Sequence, residues 1–77
     1  MILIDVRAKE EYEKGHIDKA LNHDVTNMLH GMLPNVDKDE EITLYCMSGG
    51  RSKIAKEILE KYGFKKIIDA GSINNLK

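Results

Sequence analysis

The sequence predicts an α/β fold in which a mainly parallel central sheet is flanked by helices. Three observations carry this expectation. Short apolar, strand-like runs recur at Ile2–Asp5, Ile42–Cys46 and around Ile67–Ile68. Segments with helical spacing separate them, and alternation of the two element types favours parallel strands covered by helices. The length, 77 residues, suits one domain spanning residues 1–77.

Ile2–Asp5 is an apolar run that ends in a carboxylate, as a buried strand would. Ala8–Lys14 is rich in helix formers, and Gly15 ends it. Ala20–His23 is a candidate second short strand. From Val25 to Leu33 the apolar residues Val25, Met28, Leu29, Met32 and Leu33 form a helical stripe expected to face the core, with Pro34 beyond its end. Asp37–Glu41 is a charged turn. Ile42–Cys46 is the clearest strand, being β-branched and apolar.

Ser48, Gly49 and Gly50 make a tight loop, and Arg51–Tyr62 is the clearest helix. Its apolar positions Ile54, Ala55, Ile58, Leu59 and Tyr62 line one face, and Gly63 stands where a left-handed cap belongs. Lys66–Asp69 supplies a last strand, and Gly71 is expected to begin a polar tail.

Composition excludes several classes. A net charge of −1 gives no electrostatic case for nucleic acid or an anionic membrane. No apolar run approaches the roughly 20 residues that cross a bilayer, and no signal peptide is recognisable, so a cytoplasmic location is expected. Cys46 is the single cysteine, which rules out an internal disulfide and a CxxC pair. His16, His23 and His30 lack the spacing of a metal site, so neither metal nor cofactor is expected.

The chemistry concentrates in Cys46-Met47-Ser48-Gly49-Gly50-Arg51-Ser52. Cys46 ends a strand and Arg51 starts a helix, and ligands of open α/β sheets bind beyond the carboxyl ends of strands. Gly49 and Gly50 let the loop curl and leave its N–H groups unshielded. With the first helical turn they make an anion cradle, reinforced by the helix dipole. Such surroundings lower a thiol from its reference near 8.5 and place thiolate at neutral pH. Arg51 adds a planar cationic fork, and Ser48 and Ser52 add hydroxyl donors. The plain alternative for a lone cysteine is a small buried hydrophobe.

Three ordered blocks resemble the rhodanese homology family. Leu3-Ile4-Asp5-Val6-Arg7 with Glu10-Glu11-Tyr12, then Gly15-His16-Ile17, Ala20 and Asn22, is similar to its opening signature. Cys46 to Arg51, followed by Ser52, is similar to its active-site loop, and Tyr62-Gly63-Phe64, Ile67 and Ala70-Gly71 resemble its closing motif. The likeness implies a small three-layer rhodanese-like fold, shortened at both ends. The family's closing tryptophan and last helix have no counterpart here.

The resemblance further implies that Cys46 takes up sulfane sulfur as a persulfide and passes it on. The N–H groups of Met47 through Arg51 would cradle the outer sulfur. Arg51 would close the loop and aid anion binding, with Asp5 and Arg7 supporting it from beside. The implied partners are a small sulfur anion such as thiosulfate, or a persulfide donor, and a thiol or cyanide acceptor. A protein donor or acceptor is a further option. Four residues separate Cys46 from Arg51, a ring narrower than that of related phosphatases. The rival readings are a persulfide carrier fed by a protein, a non-catalytic binding module and, last, a phosphatase.

Other polar residues have simpler explanations. His16 is expected to fix its connection by hydrogen bonding, and His23 and His30 to be structural or superficial. Asp5 suits a role binding backbone N–H groups. Glu10 and Glu11 are expected to be solvated helix formers, one of them within reach of Arg7.

Overall fold

A computed structural model describes residues 1–77. Its sheet has four strands in the order β2-β1-β3-β4, with every neighbouring pair parallel. They are β1 (Ile2–Asp5), β2 (Leu21–Asn22), β3 (Glu41–Cys46) and β4 (Lys66–Ser72). Parallel strands cannot be joined by hairpins, so each connection crosses over the sheet. The crossovers carry α1 (Lys9–Glu13), α2 (Val25–Leu29) and α3 (Gly50–Lys61). A 3-10 helix, Ile73–Leu76, follows β4.

Side chains alternate across a strand, and here both faces of the sheet are covered. Ile4, Val6, Ile42, Leu44, Cys46 and Ile67 meet Val25 and Met28 of α2, Ala55 and Leu59 of α3, and Phe64. On the other face Tyr45 packs with Ala20 and Ile73, flanked by Leu3, Tyr12, Ile17 and Ala70. The result is the expected three-layer arrangement. Full burial of a Leu or Ile contributes about 1.5–3 kcal/mol, so the α2–α3 side supplies most of the hydrophobic stabilisation.

Helix α3 ends as the sequence predicts. Gly63 adopts a left-handed φ of 94°, its N–H bonds to the carbonyl of Glu60, and the N–H of Phe64 bonds to that of Leu59. Those two bonds define a Schellman motif, and Phe64 packing in one cluster with Leu59 completes it. Only part of the predicted apolar face is buried: Ala55 and Leu59 are, whereas Ile54 and Tyr62 are exposed.

Two expectations need correcting. The stripe from Val25 to Leu33 is not one helix, because α2 stops at Leu29. Gly31, at φ 83°, closes another Schellman motif there, with Gly31 N–H on Met28 O and Met32 N–H on Asn27 O. Met28 stays in the core, whereas Leu29 and Met32 are 62% and 57% exposed.

The second correction concerns the chain after Gly71. Strand β4 continues to Ser72 through a bulge, since Leu44 faces Asp69 but Tyr45 faces Gly71. Gly71 sits at φ 75° and its N–H bonds to Oδ1 of Asp69. Beyond it Ile73 is buried against Tyr45, so this segment covers the sheet rather than trailing from it.

Candidate active-site loop

Cys46 is the last residue of β3, a central strand, and it is fully buried. The chain turns at once, because Gly49 takes a left-handed φ of 99° as the N-cap of α3. This curl aims N–H groups back at the sulfur. Gly49 N lies 3.0 Å and Ser52 N 3.3 Å from Sγ. Ser52 is buried too, with Oγ 3.6 Å from Sγ and donating to Gly49 O at 3.1 Å.

Burial alone pushes the Cys46 thiol up. The Ser52 hydroxyl, then the N–H groups of Ser52, Gly49 and Ser48, outweigh it, and the net shift is downward. The predicted loop residues therefore divide by role. Gly49 and Ser52 touch the sulfur, Ser48 acts through its backbone, and the Met47 side chain is 46% exposed at the rim. Gly50 has a negative φ and open space where a Cβ would stand, so glycine is a steric requirement at Gly49 and not at Gly50.

Arg51 does not point an empty fork at the loop. Its Nη1 and Nη2 donate to Glu11 Oε1 and Oε2 at 2.6 and 2.9 Å. The pair joins α1 to α3 across 40 residues of sequence. Arg51 holds the Glu11 carboxyl at about 2, well below its usual 4.5, even though partial burial opposes this. Glu11 is thus no solvated helix former, and its partner is Arg51 rather than Arg7. Glu11 Oε1 also accepts the N–H of Ala8, capping α1. Its place three residues after Ala8 was the one local signal available.

Asp5 and Arg7 form a buried pair on the sheet face opposite Cys46. Nε of Arg7 donates to both carboxylate oxygens at 3.0 Å and Nη2 to Oδ2 at 2.7 Å. Nη2 also reaches Gly15 O at 2.7 Å, and the guanidinium lies 5.8 Å from the centre of the Tyr45 ring. Their link to the loop runs through Tyr45, which precedes Cys46. His16 stacks on Tyr12 at 3.7 Å and its Nδ1 is 2.8 Å from Tyr12 O, a structural placement as expected.

Other contacts escaped sequence reasoning. Ser72 Oγ donates to Met47 O at 2.8 Å, tying the end of β4 to the loop. Asn22 Nδ2 donates to the carbonyls of Asp5 and Arg7 at 3.1 and 2.9 Å. A cleft of about 820 Å³ opens beside the loop, lined by Met47, Glu11, Arg7, Ile17 and Ile73 among others. Cys46 does not line it.

A parallel sheet that ends a central strand in one buried thiol, approached by two backbone N–H groups, defines a small α/β domain with a cysteine-centred loop. The chain belongs to the rhodanese-like domain family, whose sequence profile matches residues 1–75. It is 32% identical over 74 residues to the thiosulfate sulfurtransferase PspE of Escherichia coli, covering 95% of this chain and 71% of that protein. A probable molybdopterin-synthase adenylyltransferase of Porphyra purpurea is 36% identical over 75 residues, 96% of this chain. A putative sulfur carrier protein, YrkF of Bacillus subtilis, is 37% identical over 67 residues, 87% of this chain. The chain spans only 20% and 36% of the lengths of these last two.

Among solved structures, the human single-domain sulfurtransferase TSTD1 superposes with a TM-score of 0.86 at 25% identity, covering 97% of this chain and 79% of that one. A rhodanese with anions from E. coli gives 0.80 at 31% identity, covering 96% and 88%. No helix is long and apolar enough to cross a membrane.

Proposed function

We propose that this chain is a sulfurtransferase in which Cys46 carries sulfane sulfur as a persulfide. The observation that carries the reading is the convergence of the Gly49 and Ser52 N–H groups on Sγ, with the Ser52 hydroxyl in contact at 3.6 Å and the thiol lowered. Family membership and the likeness to PspE support it.

The Cys46 thiolate attacks the outer sulfur of thiosulfate or of a persulfide. A new S–S bond forms to Sγ, the donor's S–S bond breaks, and sulfite or a thiolate leaves with the electron pair. The loop N–H groups then hold the outer sulfur. Cyanide or a thiolate acceptor attacks that sulfur and releases the Cys46 thiolate, which makes the reaction covalent catalysis in two half-steps. The exposed rim at Met47 and Ser48 is the route to the buried Sγ. Asp5 and Arg7 act as support by fixing Tyr45 and the connection at Gly15.

The test is intact mass after incubation with thiosulfate and, separately, with glutathione persulfide, for the wild type and Cys46→Ser. One added sulfur in the wild type alone, removed by cyanide, is the expected result. An unmodified wild type with both donors would overturn the proposal.

A further inference from the structure

Arg7 and Arg51 are the chain's only arginines, and both are matched internally. Asp5 occupies Arg7 within the fold. Glu11 engages both arms of Arg51, the one fixed cation belonging to the loop. A guanidinium held bidentately by a carboxylate has spent the geometry with which it would grip an external oxyanion. The same Glu11 lines the cleft beside Met47, in company with Asp18 and with the cations Lys14 and Lys77, so the carboxylate acts on anions by holding Arg51 and not by making the cleft negative. What the loop still offers is a set of neutral N–H donors, sized for a sulfur atom.

We infer that Glu11 is a specificity-determining residue: by occupying Arg51 it biases Cys46 toward persulfide donors and against the thiosulfate dianion. This rests on the sulfurtransferase reading and names its donor class. A persulfide brings one negative charge and departs as a thiolate carrying one. Thiosulfate brings two and departs as sulfite, also carrying two, so its loading depends more heavily on an available cation. The atoms balance in both cases, with the donor's S–S bond replaced by one to Sγ and no oxidant consumed.

The test is the rate constant for single-turnover loading of Cys46, read by intact mass over a range of donor concentration. Thiosulfate and cysteine persulfide, whose amine and carboxylate cancel so that it carries one net negative charge, are compared in the wild type, Glu11→Gln, Glu11→Asp and the double variant Glu11→Gln/Arg51→Gln. Glutamine retains an oxygen for the Ala8 N–H while removing the charge, and thermal melting verifies that each variant folds. The wild type is expected to prefer the persulfide. Glu11→Gln should raise the thiosulfate-to-persulfide ratio about tenfold, the effect of one freed charge acting near the surface. High salt should erode that gain.

Glu11→Asp should restore the wild-type preference, and the double variant should lose the gain because no arginine remains to be freed. A ratio unmoved by Glu11→Gln would overturn the inference while leaving the sulfurtransferase reading intact. So would a wild type that already loads as readily from thiosulfate as from persulfide. Should neither donor load any variant, both fall together.

Discussion

Ser52→Ala separates the chemistry of the loop from its stability. The Ser52 hydroxyl is buried, 3.6 Å from Sγ, and is the foremost of the hydrogen bonds that bring the Cys46 thiol down. A hydrogen bond to a charged group contributes about 1.5–3 kcal/mol, and the long contact to sulfur belongs at the lower end. Its loss should raise the thiol. The N–H groups of Gly49 and Ser52 survive the substitution. Gly49 O also keeps a partner, since Lys53 N donates to it at 3.2 Å, so no buried acceptor is orphaned.

The stability cost at neutral pH should therefore be only about 1 kcal/mol. A thiol lowered by folding stabilises the native state above the unfolded value and loses that contribution as pH falls through the folded one. The advantage of the wild type over Ser52→Ala thus widens toward alkaline pH. The assay is the pH dependence of Cys46 alkylation by iodoacetamide. An upward move of the midpoint, with correspondingly less thiolate at neutral pH, is expected. An unchanged midpoint would refute the role given to the hydroxyl.

Three further outcomes follow from the same geometry. Gly49→Ala should cost about 1–2 kcal/mol in urea unfolding because of its φ of 99°, and should raise the alkylation midpoint; Gly50→Ala, with open space and a negative φ, should do neither. Asp5→Ala leaves the Arg7 guanidinium buried and unpaired at a cost of about 3–5 kcal/mol, a large share of the roughly 4–12 kcal/mol available to a domain this size. A loss under about 1 kcal/mol in chemical denaturation would contradict the pairing. Glu11, with its pKa at about 2, stabilises the fold above the ordinary carboxylate value of 4.5 and loses that contribution as pH falls toward 2. Because the pair is about one-third exposed, the effect is about 1 kcal/mol; melting temperatures of Glu11→Gln should show a flatter acid limb than the wild type.

The sequence made visible what short-range chemistry determines. Ile42–Cys46 reads as a strand because its residues favour one, and Gly63 marks the end of α3 because the left-handed cap needs it. Cys46 through Ser52 were legible as a candidate site for the same reason: all of its sulfur-facing groups lie within six residues. Long-range pairing was not legible. Glu11 meets Arg51 only because the sheet order brings α1 beside the start of α3, and nothing in Lys9–Glu13 announces it. The bulge at Ala70–Gly71 reflects a mismatch between β3 and β4, so burial of Ile73 depends on the partner strand rather than on local pattern. The apolar residues at Leu29 and Met32 suited a longer helix, yet Gly31 prevailed by closing the chain on itself.

That every neighbouring pair in the sheet is parallel has a kinetic consequence. Without hairpins no two strands can zip from a local turn, and each pairing must close a loop across a helix or a long connection before it gains anything. Such topologies have high contact order and fold slowly for their size. The Cys46 loop is held at its rim by Ser72 of β4 and through Arg51 by α1, so it is complete only when distant parts of the chain have met. The rim-tied form of the loop is therefore a late product of folding, set as the last crossover closes.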